Sequence, residues 1–178
     1  MSAIVDKPSL DQVWHWLADV PDPEIPVISI TDLGIVREVR YDGAQLVVTV
    51  TPTYSGCPAT DVIAESIRDA MRAHGIANAR METRLSPAWT TDWLSDDAKR
   101  KLRDYGIAPP VGLAANEQRI DVSRLNRLAR RVPAPPVVAC PRCASTRTEL
   151  LSQFGSTPCK SLYRCTLCRE PFDYFKCH

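Results

Sequence analysis

The sequence predicts an α+β fold, a small sheet with helices packed on one face, joined to a C-terminal cysteine-rich module. Three observations predict it. Helix and strand periodicities alternate in the order αββαβ over the first half of the chain. An Asp-Gly pair divides two β-rich runs, and six of the seven cysteines crowd into the last 39 residues.

The elements follow in order. Ser9 and Gln12 form a capping box, and Leu10, Val13, Trp14 and Leu17 recur at helical spacing, which predicts a helix over 10–20 that stops at Pro21. The run Pro21-Asp22-Pro23-Glu24-Ile25-Pro26 cannot continue it, because each proline restricts the residue before it, so an ordered loop follows. Residues 35–41 and 44–51 read as strands of a hairpin turned at Asp42-Gly43. Val62, Ile63, Ile67, Ala70, Met71 and His74 then make the apolar stripe of a second helix ended by Gly75. Over 80–85, Met81, Thr83 and Leu85 alternate with Arg80, Glu82 and Arg84, as in a half-buried third strand.

Trp89 and Trp93 stand in the next loop as core or docking anchors, and 96–105 reads as a charged helix closed by Gly106. Val122, Leu125, Ala129 and Val132 line one face of a further helix whose other side carries Arg124, Arg127 and Arg131, and a proline-rich linker, 132–136, comes after it. The expected domains are therefore 1–94, a helical connector and linker over 95–136, and the cysteine module over 137–178.

Composition places the chain in the ordinary soluble class, with 44% apolar and 24% charged residues. No apolar run reaches about 18 residues, and residues 1–8 lack the basic and apolar regions of a secretory signal, so a cytoplasmic, membrane-free protein is expected. The net charge of +1 hides a division: residues 1–118 carry −6 and residues 119–178 carry +7.

Cys140-Pro-Arg-Cys143 and Cys165-Thr-Leu-Cys168 are two CxxC knuckles. Two sulfurs on one tight turn reach a common ion, and two such turns complete a tetrahedron, so the four cysteines are read as ligands of zinc, with iron as the alternative. A segment this small lacks an adequate core without a metal staple. Zinc held by four thiolates carries a net −2, which accounts for part of the basic excess. Phe154, Tyr163, Phe172, Tyr174 and Phe175 are expected to supply the module's core. Cys159, Cys177 and His178 are left over, as packed residues, as alternative ligands for the same ion, or as part of a second, softer site for iron or a cluster.

Gly56-Cys57-Pro58 opens the second helix, with Pro58 at its first position. The Cys57 sulfur then lies at the positive end of the helix dipole, which lowers a thiol pKa and favours thiolate. Read from the residues alone, Cys57 is either packed or reactive. Asp22 and Glu24 are either turn residues or the oxygen side of a mixed oxygen and sulfur site.

The stretch from Asp22 through Ile30-Thr31-Asp32-Leu33-Gly34 to Val39, the strand ending in Val50-Thr51-Pro-Thr53, and Gly56-Cys57-Pro58 resemble the domain shared by SufT-like iron-sulfur assembly factors. Over nearly the whole chain, Ser86-Pro-Ala-Trp-Thr-Thr-Asp-Trp93, Tyr105-Gly-Ile-Ala-Pro-Pro110, and the tail from Phe154-Gly-Ser-Thr-Pro-Cys159 through Pro171-Phe-Asp-Tyr-Phe-Lys-Cys-His178 resemble the PaaD family of bacterial phenylacetyl-CoA epoxidase systems.

That resemblance implies an accessory role in aerobic phenylacetate catabolism, an aromatic degradation route in which a di-iron oxygenase takes electrons from an iron-sulfur flavoprotein reductase. It implies that Cys57, Asp22, Glu24 and Thr51 match the assembly motif, with Cys57 the ligand of a transient iron or iron-sulfur cluster. Cys140, Cys143, Cys165 and Cys168 match the family's ribbon.

Two functions follow. One is a maturation factor that carries iron or clusters to the oxygenase or its reductase. The other is a structural subunit or docking clamp that handles no cargo. A homodimer pairing Cys57 across two copies stays open. The sequence shows no phosphate-binding glycine loop and no Ser/His/Asp set, so no catalysis by the chain itself is expected. Nucleic acid is not the expected partner, because the acidic half repels a polyanion.

Overall fold

The computed structural model describes residues 7–111 and 136–176. The chain divides into two compact units, Met1–Lys101 and Leu102–His178. The expected helix over 122–132, the linker as far as 135, and Cys177 and His178 lie outside the described residues.

In the first unit, α1 spans Leu10–Ala18. The capping box is formed: Ser9 Oγ accepts the Gln12 N–H, and the Gln12 side chain accepts the Ser9 N–H. Val13 and Leu17 are fully buried, Trp14 is half-buried, and Leu10, expected on the same stripe, is 40% exposed at the first turn. The helix stops short of 20 because the Asp19 and Val20 N–H groups turn back to the Trp16 and Leu17 carbonyls, tightening the last turn ahead of Pro21.

Strands β1 (Val36–Asp42) and β2 (Gln45–Val50) form the hairpin. Asp42 pairs with Gln45, so the two-residue loop is Gly43-Ala44, one residue later than the Asp-Gly reading. Gly43 takes φ +58 at the first loop position, the conformation a side chain disfavours. The crossover helix α2 (Ala59–Ala73) leads to β3 (Ala79–Thr83), which pairs parallel to β2 in a sheet ordered β1-β2-β3. The Gly75 N–H donates to the Arg72 carbonyl and the Ile76 N–H to the Met71 carbonyl, closing α2 at the expected residue.

Strand β2 has a nearly unbroken apolar sequence because it is buried on both faces. Leu46, Val48 and Val50 share one face with Val39 and Met81. On the other face Val47 lies between Arg40 and Arg80, and Thr49 between Glu38 and Glu82. There Arg40 bonds Glu82 at 3.0 Å, Arg80 bonds Glu82 at 2.7 Å and Arg84 bonds Glu38 at 2.8 Å, so side-chain stems roof the central strand while their charged ends stay wet.

Further positions expected on apolar faces are not buried, His74 at the end of α2 among them. Val62 is 52% exposed, since the inward stripe of α2 is Ala59, Ile63, Ile67 and Met71. Leu85 is 60% exposed because β3 ends two residues earlier. Trp89 is a docking anchor: it is buried, and its Nε1–H donates to the Leu33 carbonyl at 2.9 Å. A bulge at Arg37 in β1 is matched by a cation–π contact, with the guanidinium 3.5 Å from the Trp93 ring centre.

Helix α3 (Asp96–Tyr105) matches the 96–105 reading, and Ser95 Oγ caps it by accepting the Ala98 N–H. Through α3, Lys101 reaches Asp32 at 2.7 Å. Asp32 also accepts the Ser29 N–H, while Ser29 Oγ accepts the Asp32 N–H. Partial burial pulls the Asp32 carboxyl upward, but the hydrogen bonds from Lys101 and Ser29 outweigh it and hold the carboxyl below its ordinary 3.8.

A depressed folded-state pKa contributes stability above the unfolded value, and that contribution is lost as pH falls through the folded one. Lys101 is 40% exposed, so solvent screening limits the pair to about 1 kcal/mol. Asp32→Asn is expected to lower stability at pH 7 by about that much and to flatten the acid-side decline below pH 3.8. Denaturant unfolding followed by tryptophan emission at pH 7 and pH 3 checks both effects.

In the second unit, β5 (Thr148–Ser152), β6 (Lys160–Cys165) and β7 (Pro171–Phe175) form an antiparallel meander. The short β4 (Ile107–Ala108) adds in parallel to β7, giving the order β4-β7-β6-β5. Ala108, Val138, Cys140, Tyr163, Cys165, Phe172 and Tyr174 form the core, and Tyr163 meets Tyr174 edge to face at 5.6 Å. Phe175 is buried as expected, but Phe154 is 67% exposed and stacks beneath Lys176 instead.

Among the described residues, no helix is long and apolar enough to cross a membrane.

Candidate metal centre and thiol loop

The two knuckles are built alike. The Cys140 N–H donates to the Ser145 carbonyl and the Cys165 N–H to the Glu170 carbonyl, each bond closing a turn of six residues. In each turn the residue after the second cysteine is left-handed, Ala144 at φ 59 and Arg169 at φ 66. The first turn precedes β5 and the second joins β6 to β7, so the sheet brings them together.

All four sulfurs lie within 4.8 Å of one another. Cys140 Sγ is 3.7 Å from Cys168 Sγ, and Cys143 Sγ is 3.6 Å from Cys165 Sγ. A tetrahedral zinc site with Zn–S of about 2.3 Å has S···S edges of about 3.8 Å. Donor type and spacing therefore fit zinc, and the cluster is able to coordinate a metal ion.

The backbone N–H groups of Cys168 and Leu167 favour the Cys165 thiolate and, with the Cys143 and Cys168 thiols, draw its pKa down to about 6. Cys168 receives the Glu170 N–H, yet burial and the Cys143, Cys165 and Cys140 sulfurs push its thiol up to about 12. A metal-free cluster therefore deprotonates unevenly. A bound cation favours all four thiolates, and its binding releases protons.

The second chemical feature is the loop between β2 and α2. Cys57 is half-buried there, its N–H donates to the Tyr54 carbonyl, and its own carbonyl accepts the Thr60 N–H. Pro58 is the cap of α2 rather than its first residue. Ser55, Gly56 and Pro58 are exposed around the thiol. Thr51 is buried and its N–H pairs with the Ile35 carbonyl, but Thr51 Oγ1 has no partner, and the same is true of Thr49 Oγ1.

Asp22 is buried, with Oδ1 accepting the Glu24 and Ile25 N–H groups at 2.9 and 2.8 Å, so part of its work is to shape the proline-rich loop. Glu24 is half-buried. Among the described residues, the ribbon cysteines are the one group of three or more His, Cys, Asp or Glu side chains spaced for a metal ion; Cys57, Asp22 and Glu24 do not form a second.

Cys159 is buried in the turn just before β6, with Thr157 Oγ1 3.0 Å from its sulfur. Its expected companions, Cys177 and His178, lie outside the described residues.

Sequence reasoning passed over the Asp32–Lys101 pair. The Ser29-x-x-Asp32 spacing hinted at a local turn, but nothing marked a partner 69 residues away.

A family described as "PaaD zinc beta ribbon domain" matches residues 127–176, and one described as "Iron-sulfur cluster assembly protein" matches residues 10–79. A protein of Escherichia coli (strain K12), named as a putative 1,2-phenylacetyl-CoA epoxidase subunit, is 49% identical over 98% of this chain and 97% of its own length. The chain belongs to the PaaD family.

A second relative matches about half of this PaaD-family chain. It is a Porphyromonas gingivalis "Fe-S protein maturation auxiliary factor", 35% identical over 52% of this chain and 89% of its own length. Among solved structures, the domain of unknown function DUF59 from Bacillus anthracis is 26% identical, covering 52% of this chain and 89% of its own, with a TM-score of 0.48. The assembly match runs from α1 to the first residue of β3 and includes Asp22, Glu24, Thr51 and Cys57. The PaaD ribbon match includes both knuckles and Cys159.

Proposed function

We propose that this chain is an accessory factor of phenylacetyl-CoA epoxidase in aerobic phenylacetate catabolism, maturing or delivering iron or iron-sulfur clusters to the oxygenase or its reductase. It acts in the cytoplasm and is not itself a catalyst. Cys57 is the cargo ligand, with Asp22, Glu24 and Thr51 shaping the loops beside it. Cys140, Cys143, Cys165 and Cys168 hold a resident zinc ion that folds the ribbon, and the ribbon docks the client. Residues 1–94 form the assembly domain, 95–136 the connector and 137–178 the ribbon.

The observation that carries this reading is the half-buried Cys57, ringed by exposed residues, inside the stretch that matches the iron-sulfur assembly family. An open thiol suits cargo that must leave again, whereas the four-sulfur cluster is closed and suits a resident ion.

Removing this gene from a phenylacetate-degrading host and purifying the reductase anaerobically tests the proposal. The reductase polypeptide is expected at normal abundance with iron and sulfide reduced several-fold, and restored when the purified protein is added with iron and sulfide. A fully loaded reductase in the deleted strain would rule out the carrier role.

The Escherichia coli relative is named as part of the epoxidase itself, which favours a second reading, a docking clamp. That reading expects stoichiometric co-purification with active oxygenase and no iron or sulfide beyond the ribbon metal.

A further inference from the structure

The four ribbon cysteines are of two kinds. Cys143 and Cys168, one from each knuckle, are exposed, while Cys140 and Cys165 are buried. The sulfur of each exposed cysteine contacts that of the buried cysteine of the opposite knuckle, Cys143 with Cys165 at 3.6 Å and Cys168 with Cys140 at 3.7 Å. Both buried cysteines also line clefts. Cys165 borders one of ≈ 290 Å³ with Arg164, Thr166 and Arg169, and Cys140 borders an apolar one of ≈ 180 Å³ that includes Val138 and Pro141. A small oxidant arriving from solvent therefore meets a thiolate at the outer edge of the cluster, with a second sulfur in contact behind it.

We infer that the ribbon is a peroxide-sensitive thiol switch, in which oxidation joins the knuckles through Cys143–Cys165 and Cys140–Cys168 disulfides and expels the metal ion. The inference rests on the reading that the four thiolates hold a metal. In the first step the exposed Cys143 thiolate attacks one oxygen of hydrogen peroxide. The O–O bond breaks, hydroxide leaves and is protonated to water, and Cys143 becomes a sulfenic acid. The Cys165 thiolate then attacks that sulfur. The S–S bond forms, the S–O bond breaks, and the departing hydroxide is again protonated to water. Two electrons have passed from two sulfurs to one peroxide, and Cys168 with Cys140 repeats the sequence with a second.

A disulfide sulfur no longer carries the charge that held the ion, so the first bond removes two of the four ligands. The sequence separations across the new bonds are 22 and 28 residues. The bonds tie together the same two knuckles that the metal tied, so the oxidised ribbon stays folded without metal, whereas the reduced, chelated ribbon does not.

The test uses the full native chain. Ribbon metal is counted first. Hydrogen peroxide is then titrated in while a chromogenic chelator reports release, near-ultraviolet dichroism follows the tyrosines, and non-reducing peptide maps locate the disulfides. The expected result is one ion released per chain, loss of four of the seven thiols, cross-knuckle disulfides, a retained tyrosine signal, and reversal by a dithiol with zinc.

Disulfides within the knuckles, Cys140–Cys143 or Cys165–Cys168, would overturn the switch, as would irreversible oxidation without disulfides. So would metal retained while peroxide consumes Cys57 or Cys159. A chain without ribbon metal at the first count also overturns it, and the order of the measurements separates that failure of the metal reading from a failure of the switch.

Discussion

Replacing Cys165 with serine is expected to unfold the Leu102–His178 unit and leave Met1–Lys101 folded. The Cys165 sulfur is both a candidate metal ligand and a member of the core that includes Tyr163, Phe172 and Tyr174. Serine removes a thiolate donor, and its hydroxyl lacks the charge that zinc requires at neutral pH. Structural zinc contributes about 10–16 kcal/mol of apparent binding free energy, comparable with the whole stability of an ordinary domain, about 5–15 kcal/mol. A core of seven buried residues cannot replace it.

The chain carries its own reporters for this experiment. Its four tryptophans, 14, 16, 89 and 93, lie in the first unit, and its three phenylalanines, 154, 172 and 175, in the second. Tryptophan emission is therefore expected to match the parent, while the near-ultraviolet dichroism of Tyr163 and Tyr174 collapses. A chelator added to the parent should give the same split result, reversed by zinc. If Tyr163 and Tyr174 kept their edge-to-face ring shifts by NMR in the metal-free variant, the ion would have no structural role.

What the sequence made legible was local. The Ser9/Gln12 capping box, the Gly75 stop, the 96–105 helix and the CxxC spacings are each specified within a few residues, and each stands where it was expected. The misses come from tertiary context. Val62 fits a helical stripe, yet the crossover turns Ile63, Ile67 and Met71 toward the sheet and leaves Val62 outside. Phe154 has the chemistry of a core residue, but its exposed loop position puts it under Lys176. Strand β4 is two residues long and exists through its pairing with Asp173 and Tyr174, more than sixty positions away. No periodicity reveals so short an edge.

The thiol loop was legible only in part. The Gly-Cys-Pro motif located Cys57 at the entry to α2, but whether its sulfur is packed or open depends on how Thr51–Pro58 leaves the sheet. The structure leaves it half-buried between exposed residues. The partnerless hydroxyls of Thr49 in β2 and Thr51 just after it, like that of Thr91, had no sequence signature, because a threonine in a β-rich run reads as a β-former and nothing more.

Cys57→Ser is expected to abolish cargo binding while leaving the fold and the ribbon metal intact. Serine is nearly isosteric, and the replaced thiol is not a core residue, so the stability change should stay within about 0.5 kcal/mol. The chemical change is much larger, because a neutral hydroxyl does not replace a thiolate as a ligand for iron or for a cluster. Cys57, Asp22 and Glu24 do not form a closed set of three donors among the described residues, so the carrier reading gives the client's own ligands the task of completing coordination during transfer. Such a site holds its cargo until the ligands of a client displace it.

Anaerobic purification of the parent, Cys57→Ser and Cys159→Ser, with iron, sulfide and zinc counted in each, makes the comparison. The parent and Cys159→Ser should retain iron and sulfide, Cys57→Ser should fall to background, and zinc should stay near one per chain in all three. Zinc without iron or sulfide in the parent would remove the carrier reading and leave the docking clamp, because a protein that never holds cargo has none to deliver.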